Sequence, residues 1–402
     1  MSVPPSIVSL PSRTPELGTL LERWASINSG SGHAAGLARM CAALRDEFAR
    51  AFPVATITEI AADAPVFNPP GVKALSISLR PAAPQQVLLC GHYDTVYEAD
   101  DAFQQCRWLD PNTLNGPGVA DMKGGLVTML AALQAFEQTP HAANLGWEVL
   151  LTPDEETGSH GTVQLFLGAA ARHQFGFVFE PARPSGDIIH SRKGTGVFKA
   201  TCHGRAAHAA KVPNDGRNAI LALAEFLFEI TKIPADLPDV MVSVGNIRGG
   251  TAATNVVPDL AVSEIDVRIT RVTDREPLLA RLREAADRIN ARDGLRLELT
   301  GGFNRPPKEC FPAEDAAFPE WQRAARDVGV APFARIHAAG ASDGNFLAEG
   351  GLPSLDGLGP LGDGLHSDRE HCRVETIAQR AQIAALFLHR LATGEIQLLA
   401  GR

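Results

Sequence analysis

Two histidines and three acidic residues in this chain follow apolar runs or stand where a loop enters a helix. These five residues are His92, Asp121, Glu156, Glu180 and His366. Imidazole and carboxylate groups of this kind suit zinc or a similar divalent ion. Five ligands, with one carboxylate shared, are what two metal ions roughly 3.5–4 Å apart require. The set therefore predicts a dinuclear metal centre.

The segment His92-Tyr93-Asp94 follows an apolar run, VLLCG. Residues i and i+2 of an extended segment point the same way. Asp94 can therefore accept a hydrogen bond from the ring of His92 and fix its tautomer, while the other ring nitrogen binds a metal. A buried His–Asp pair without a metal is the alternative for this segment alone. Asp121, where a loop enters a helix, is by itself ordinarily a helix cap.

Two adjacent carboxylates, Glu155 and Glu156, lie in the loop after an apolar strand. They repel each other unless a cation or water separates them, so one can bind a metal while its neighbour accepts a proton from the activated water. A solvated pair that opens a helix is the alternative, because the helix dipole also favours carboxylates there. Glu180 follows another apolar strand, at the end where α/β sheets place their sites. His366 lies in GLHSDRE, after a loop rich in glycine and proline.

The elements that carry these residues alternate between strand-like and helix-like patterns. Apolar runs predict strands at about 74–80, 86–91, 147–152 and 175–179. Between them, residues 121–137 have a helical apolar face, and 114–119 are predicted as a loop broken by glycine and proline. Strands alternating with helices predict an α/β sheet that is covered on both faces.

A different pattern begins near Gly194, and a last strand of this region is predicted at 295–299. The order of its strands and helices is βαββαβ, which matches a small two-layer α+β unit. The α/β pattern then resumes and closes with a helix at about 374–393. We therefore predict a catalytic domain formed by residues 1–194 and 305–402, interrupted by a separate domain at 195–304.

Composition excludes several classes of protein and partner. The 402 residues are 45% apolar and 21% charged, which is typical of a globular chain long enough for two domains. The net charge is 37 − 46 = −9, and no basic stripe indicates a nucleic-acid partner. No apolar run approaches the ~18 residues that cross a bilayer, so no membrane partner is expected. Six scattered cysteines without a CxxC pair, and an N-terminus unlike a signal peptide, favour a cytoplasmic protein.

Five segments resemble the successive metal-site motifs of the M20 metallopeptidase family. In chain order they read GHYDTVY, GPGVADMKGG, DEETGSHG, FEPARPSGD and GLHSDRE, and they span residues 91–370. The likeness is strongest to the glutamate carboxypeptidase branch, with acetylornithine deacetylases and succinyl-diaminopimelate desuccinylases as more distant relatives. The resemblance implies a zinc-peptidase-like α/β sheet covered by helices, interrupted by a smaller, ferredoxin-like α+β domain that serves as lid and dimerisation domain.

Position by position, the resemblance also implies a role for each ligand. One ion would bind His92, Asp121 and Glu180, and the other would bind Asp121, Glu156 and His366, with Asp121 bridging the two. Asp94 would orient His92, and Glu155 would be the general base. The peptide bond after the bridging aspartate would be cis. Zinc is the expected metal, and cobalt or manganese would fit the same ligands.

The insert and its C-terminal flank carry four further candidates. GRAAHAA resembles the lid segment whose histidine stabilises the oxyanion, which implies His208. In the family this histidine often comes from the partner subunit, so a homodimer formed through the lid is expected. Asn255 resembles a residue that contacts the substrate, and Arg268 and Arg305 resemble arginines that bind its carboxylate. From the residues alone, packing is the simpler account of His208. For Arg268, the simpler account is an ion pair with an acid of its own strand.

We therefore expect a metal-dependent amide hydrolase, resembling glutamate carboxypeptidases, that cleaves a small peptide or N-acyl amino acid with a free carboxylate. A deacylase of the acetylornithine deacetylase type is the alternative within the family. A serine hydrolase is a rival on local grounds, because residues 340–344 fit G-x-S-x-G with Ser342 as nucleophile and Asp363 and His366 downstream. That rival leaves most of the predicted ligands unexplained. A dimeric binding module with structural metals is disfavoured, because structural zinc sites are usually closed by four Cys or His ligands.

Overall fold

The chain divides into two compact units in the computed structural model, which describes residues 2–64, 66–211, 213 and 215–398. The first unit comprises Met1–Ser191, Cys310–Ala338 and Ser342–Arg402. The second comprises Arg192–Glu309 and Ala339–Ala341. All five predicted metal ligands therefore belong to the first unit, and the four candidates predicted around the lid belong to the second.

The helices of the described residues are numbered α1 to α11 in chain order. They are α1 Pro5–Val8, α2 Thr14–Ala25, α3 Ala34–Ala51, α4 Lys123–Glu137, α5 Val163–Arg172, α6 Ala219–Ile230, α7 Ile233–Asp236, α8 Arg275–Asn290, α9 Pro312–Asp327, α10 Gly344–Glu349 and α11 Glu375–Ala392. Helix α4 is buried on nearly every side, between β-sheet and helices, as an almost wholly apolar helix must be.

The strands of the described residues are numbered in the same way. They are β1 Thr56–Ala61, β2 Lys73–Leu79, β3 Gln85–His92, β4 Arg107–Asp110, β5 Thr113–Asn115, β6 Leu145–Thr152, β7 Phe175–Val178, β8 Ile188–Arg192, β9 Gly194–His203, β10 Val240–Gly249, β11 Leu260–Ile269, β12 Arg296–Arg305, β13 Arg335–Ala338, β14 Ser354–Asp356, β15 Gly362–Asp363 and β16 His371–Arg373.

The first unit is built on an eight-stranded mixed sheet with the order β1-β2-β6-β3-β7-β14-β8-β13. Its centre is parallel, because β6, β3, β7 and β14 run in one direction. Parallel strands of this kind are buried on both faces. Along β3, Val87 and Leu89 pack into a large apolar cluster that also contains Leu126 of α4. Leu88 and Cys90, on the opposite face, pack into a second cluster with α5 and α10. The predicted α/β sheet covered by helices is confirmed.

The register of the central strands brings three loops to one edge of this sheet. Cys90 of β3 pairs with Val178 of β7, so His92 and Glu180, each two residues further on, leave the sheet at the same level. His92 itself pairs with the last residue of β6, after which the chain turns into the segment with the two glutamates. The carboxyl ends of parallel strands are where α/β sheets place their sites.

A smaller sheet in the first unit has the order β15-β16-β5-β4. In it, His371 pairs with Asn115 and Cys372 with Leu114. The prediction of residues 114–119 as a loop was therefore wrong for its first two residues. Their strand is formed by partners far away in the chain, which no local pattern indicates. The pairing places the segment before Asp121 beside the segment that follows His366.

The second unit is a four-stranded antiparallel sheet with the order β10-β11-β9-β12. Helices α6 and α8 pack on it, and the apolar cluster between them includes Ile265, Val267 and Ile269 of β11. The order βαββαβ of the predicted α+β unit is confirmed. Strand β12 continues to Arg305, beyond the predicted 295–299, because its glycine-containing second half still pairs with β9. Among the described residues, no helix has the length and apolar character needed to cross a bilayer.

Candidate metal centre

The side chains of His92, Asp121 and Glu180 form a first group of potential metal ligands. One ligand atom of each lies within 4.8 Å of the other two. The Nε2 atom of His92 is 3.1 Å from Oδ1 of Asp121 and 3.8 Å from Oε1 of Glu180. Donors about 2.0–2.2 Å from a tetrahedral zinc ion lie roughly 3.4 Å from each other. This buried group therefore has the dimensions of a site for one ion.

A second group consists of Asp121, Glu156 and His366. The Nε2 atom of His366 is 3.4 Å from Oδ2 of Asp121 and 3.3 Å from Oε2 of Glu156. Asp121 thus turns one oxygen to each histidine. The side chain of Glu156 is 8% exposed, whereas that of His366 is 53% exposed. The structure brings all five predicted ligands together, in two groups that share one carboxylate and open to solvent at His366.

The carboxylate of Asp94 holds the neighbouring segments in place. Its Oδ1 lies 3.2 Å from Nδ1 of His92, on the side of the ring away from Asp121. It also accepts hydrogen bonds from the backbone N–H groups of Glu155 and Glu156, each at 3.1 Å. A carboxylate in this position fixes both the orientation of the imidazole and the turn Glu155–Thr157.

Two of the alternatives that do not involve a metal fail against this geometry. Asp121 does not cap α4, because the cap residue is Met122 and no side chain caps that helix. The Asp121–Met122 peptide bond is cis, as the resemblance implied. Glu156 is not part of a solvated pair, because its side chain is largely buried.

The pKa values of the ligand groups reflect an excess of negative charge among them. Hydrogen bonds that the imidazole donates to the carboxylates of Asp121 and Glu156 raise the pKa of His366 to about 11. Burial lowers the pKa of His92, but hydrogen bonds to Asp121 and Asp94 outweigh it and raise that pKa well above its usual value. Burial and the nearby Asp121 carboxylate raise the pKa of Glu156 to about 8. These raised pKa values mean that His92, Glu156 and His366 hold their protons more tightly than usual. The protons offset the negative charge of the carboxylates, which a bound cation would otherwise balance.

In the second unit, the segments of His208 and Asn255 pair with each other. The carbonyl of Asn255 accepts a hydrogen bond from the N–H of Ala209 at 2.9 Å, and His208 forms a bridge with Val256. The His208 side chain is exposed, and its Nδ1 accepts a hydrogen bond from the N–H of Ala210 at 3.2 Å. The structure therefore places these two candidates on adjacent, hydrogen-bonded segments of the chain. The imidazole of His208 lies at the surface of its unit.

The two candidate arginines lie in one row of the second unit's sheet. Both Arg268 of β11 and Arg305 of β12 pair with Thr195 of β9, the strand between them. With strands ~4.8 Å apart, their Cα atoms are roughly 10 Å from each other, and directly paired residues point to the same face. Arg268 makes a two-pronged ion pair with Asp266 at 2.8 and 2.9 Å, as the alternative for that residue anticipated.

The serine-hydrolase alternative finds no support in the structure. Ser342 is fully buried, and its hydroxyl donates to Oδ2 of Asp356 at 3.1 Å and accepts from the N–H of Gly344 at 3.1 Å. The ring of His366 faces the carboxylates of the metal groups instead. The G-x-S-x-G match therefore marks a buried turn rather than an exposed nucleophile.

Two residues outside the predicted set support the loops of this centre. Ser31 donates its hydroxyl hydrogen to Oδ2 of Asp94 at 2.8 Å. Glu370 accepts hydrogen bonds from the loop that ends in Asp121. The motif GLHSDRE ends in Glu370, so an acid inside a metal-site motif was a usable signal there. Ser31, in a glycine- and serine-rich stretch, gave none.

A third group of possible ligands lies elsewhere in the first unit, at His190, Cys310 and Asp315. The guanidinium group of Arg335 donates to Oδ1 of Asp315 at 2.7 Å and lies 3.7 Å from Sγ of Cys310. The guanidinium group of Arg335 already balances the negative charge of this group. We therefore place no metal ion there.

Comparison with known proteins gives the same assignment as the geometry. A sequence profile described as peptidase family M20/M25/M40 matches residues 88–390. Carboxypeptidase G2 of Pseudomonas sp. is 25% identical over 318 residues, covering 77% of this chain and 75% of that protein. A succinyl-diaminopimelate desuccinylase of Alkalilimnicola ehrlichii is 27% identical over 321 residues, covering 75% and 82%.

A solved structure shares the fold over nearly the whole chain. It is the aminopeptidase PepT of Bacillus cereus, with a TM-score of 0.75, 21% identity, and coverage of 94% of this chain and 99% of that one. Because the family profile covers most of the chain, and because the fold and both ligand groups agree with it, the chain belongs to peptidase family M20/M25/M40 and is an enzyme of metallopeptidase or amidohydrolase type.

Proposed function

We propose that this enzyme hydrolyses an amide bond in a small peptide or N-acyl amino acid that carries a free carboxylate, with the aid of two divalent metal ions. The observation that carries the proposal is the pair of ligand groups that share Asp121. His92 and Glu180 would complete the site of one ion, and Glu156 and His366 that of the other. The donor set fits such ions, because zinc accepts carboxylate and imidazole ligands, as do cobalt and manganese.

When bound, two such ions lower the pKa of a water molecule and polarise the carbonyl group of the substrate. We propose that the Glu155 carboxylate takes the proton from the attacking water and passes it to the leaving amine. The backbone N–H of Glu155 donates to Asp94, which holds this glutamate at the start of its turn. Asp94 also keeps the ring of His92 in the orientation a ligand needs.

Residues of the second unit supply recognition in this proposal. His208 donates a hydrogen bond to the oxyanion, either in its own subunit or from the partner of a homodimer. Asn255 contacts the substrate, and Arg268 and Arg305 bind its carboxylate. The shared row of the two arginines supports a common task, and Arg268 would exchange Asp266 for the substrate. On this account residues 195–304 form a lid through which the homodimer assembles.

The substrate side chain is the finer part of the proposal. The motif likeness to the glutamate carboxypeptidase branch, together with the similarity to a carboxypeptidase over most of the chain, favours release of glutamate or aspartate. The similarity to a desuccinylase favours a second candidate, the deacylation of an N-acyl amino acid. We also propose a cytoplasmic location, because the six cysteines are scattered along the sequence and form no CxxC pair.

The proposal is tested with Glu155→Gln. A general base contributes roughly 10²–10⁴-fold, so kcat should fall by that factor while the protein still binds two zinc ions. Glu349→Gln makes the same chemical change at an exposed position of α10 and should leave kcat unchanged. The assay measures amine released from a panel of dipeptides and N-acyl amino acids by the zinc-loaded enzyme. Near-normal turnover of Glu155→Gln would show that another group is the base.

A further inference from the structure

Glu370 is a fully buried acid four residues after His366. Its side chain is surrounded by hydrogen-bond donors on both carboxylate oxygens. It accepts four hydrogen bonds, from the backbone N–H groups of Gly118, Ala120 and Asp121 at 3.1, 2.9 and 3.0 Å and from the hydroxyl of Tyr97 at 2.7 Å. Three of the four donors belong to the loop that delivers the shared ligand Asp121.

The backbone of Glu370 is tied to the same loop. Its carbonyl oxygen accepts from the side-chain amide of Asn115 at 2.7 Å and from the N–H of Gly116 at 3.2 Å. Its own N–H donates to the carbonyl of Ser367 at 3.0 Å, within the turn that carries His366. Glu370 therefore joins the segment 115–121 to the segment 366–370 through five hydrogen bonds, and the hydroxyl of Tyr97 adds a sixth from outside that segment.

The chemistry at this position calls for a carboxylate. The N–H groups of a loop outside helices and sheets need an acceptor when they are buried. An ionised carboxylate is purely an acceptor and offers about four lone-pair sites, which matches the four donors present. Hydrogen bonds to an ionised acceptor are also stronger than those between neutral groups. Glutamine at position 370 would turn an NH₂ donor toward these N–H groups, and a shorter aspartate would reach fewer of them.

We propose that Glu370 is a positioning residue that sets the distance between Asp121 and His366, and so sets the affinity of the ion held by Asp121, Glu156 and His366. The inference rests on the proposed dimetal function. Glu370 acts through the backbone, and its carboxylate does not contact the carboxylate or imidazole groups of the ligands. His92 and Glu180 lie at or just beyond the ends of central strands of the sheet. Glu370 therefore affects the ion that they would hold only through Asp121.

The test is a zinc titration of the metal-stripped protein by calorimetry and by competition with a chelator. Wild type should bind two ions. Glu370→Gln should bind one of them with about 10–100-fold lower affinity, the range seen when a supporting partner of a metal ligand is lost, and the other with little change. Glu370→Asp keeps the charge and should recover part of the affinity. Saturating zinc should return kcat of both variants toward the wild-type value, because Glu370 does not touch reacting atoms.

Glu98→Gln is the matched control. Glu98 also accepts a backbone N–H, that of Gly32 at 2.9 Å, but it holds neither ligand loop, so both zinc affinities should stay at wild-type values. Wild-type affinity for both ions in Glu370→Gln would overturn the inference. An equal weakening of both ions, accompanied by a lower Tm, would also overturn it, since that is the result of general loosening. Should Glu370→Gln not fold, Glu370→Asp must show the same selective loss. A wild type that does not bind two ions would instead overturn the proposed function.

Discussion

The carboxylate of Asp94 offers the sharpest perturbation of the proposed centre. It accepts a hydrogen bond from Ser31 at 2.8 Å and from the N–H groups of Glu155 and Glu156 at 3.1 Å, and it faces the ring of His92 at 3.2 Å. Asp94→Asn keeps the size of the side chain but replaces one acceptor oxygen with an NH₂ donor. At least one of the buried donors around it then faces another donor.

The size of the effect follows from these contacts. A buried donor left without an acceptor costs about 1–3 kcal/mol, so we expect Asp94→Asn to lower the free energy of unfolding of the metal-free protein by about 2 kcal/mol. Losing the carboxylate partner of a metal-binding histidine typically costs 10–100-fold in metal affinity, which is about 1.4–2.7 kcal/mol. Because the substitution disturbs His92 and the turn that carries Glu156 together, we expect the upper part of that range for zinc.

Zinc titration by calorimetry and urea unfolding of the stripped protein measure the two quantities separately. Ser31→Ala is the control, because it removes one neutral donor from the same carboxylate and leaves the remaining contacts in place. Its zinc affinity should fall less than tenfold. Wild-type zinc affinity in Asp94→Asn would refute the idea that this carboxylate orients His92, whatever the variant's stability.

Three further outcomes are expected. Zinc must displace protons from His366, with a pKa of about 11, and from Glu156, with a pKa of about 8, so its apparent affinity should rise between about pH 6 and 8. Calorimetry in buffers of different ionisation enthalpy should detect the released protons, and zinc binding without proton release would contradict this. His208→Ala should lower kcat far more than it raises KM, whereas equal changes would indicate a mere contact residue. Trp321→Ala empties a fully buried site 5.4 Å from the ring of Phe387 and should cost about 3–5 kcal/mol in urea unfolding, where a loss below about 1 kcal/mol would be the contrary result.

The part of the fold that carries the centre can be predicted from sequence because its long strands are continuous apolar runs. Strand β3 is buried from Val87 onward, and β6 and β7 are buried throughout, and a buried parallel strand needs this pattern. Once those strands are parallel, residues just beyond their ends must share one edge of the sheet. The proximity of His92 and Glu180 is therefore a consequence of local patterns together with one topological rule.

Other contacts cannot be read from local patterns. Strand β5 and the two-residue strand β15 are too short to have a period, and they exist because β16 pairs with both. The approach of His366 to Asp121 depends on that pairing, so only the ordered motifs of the family indicated it. Arg268 is a different case, because its ion pair with Asp266 competes with the role that the resemblance implied. One sequence position can satisfy a neighbour or a ligand, and the sequence does not rank the two.

The supporting carboxylates bear on how the proposed centre would exchange protons for metal ions. Three ligand carboxylates and Glu155 bring four negative charges to a largely buried site, which two divalent ions would balance and which raised pKa values at the imidazoles and Glu156 offset in their absence. We therefore expect bound metal ions to replace the protons that offset this negative charge. We expect the loops to stay in place during this exchange, because Asp94 and Glu370 hold them through backbone N–H groups rather than through the ligand side chains. We expect a centre fastened from the backbone side in this way to bind ions with little ordering of the chain, because the hydrogen bonds that hold its loops do not involve the ligand side chains.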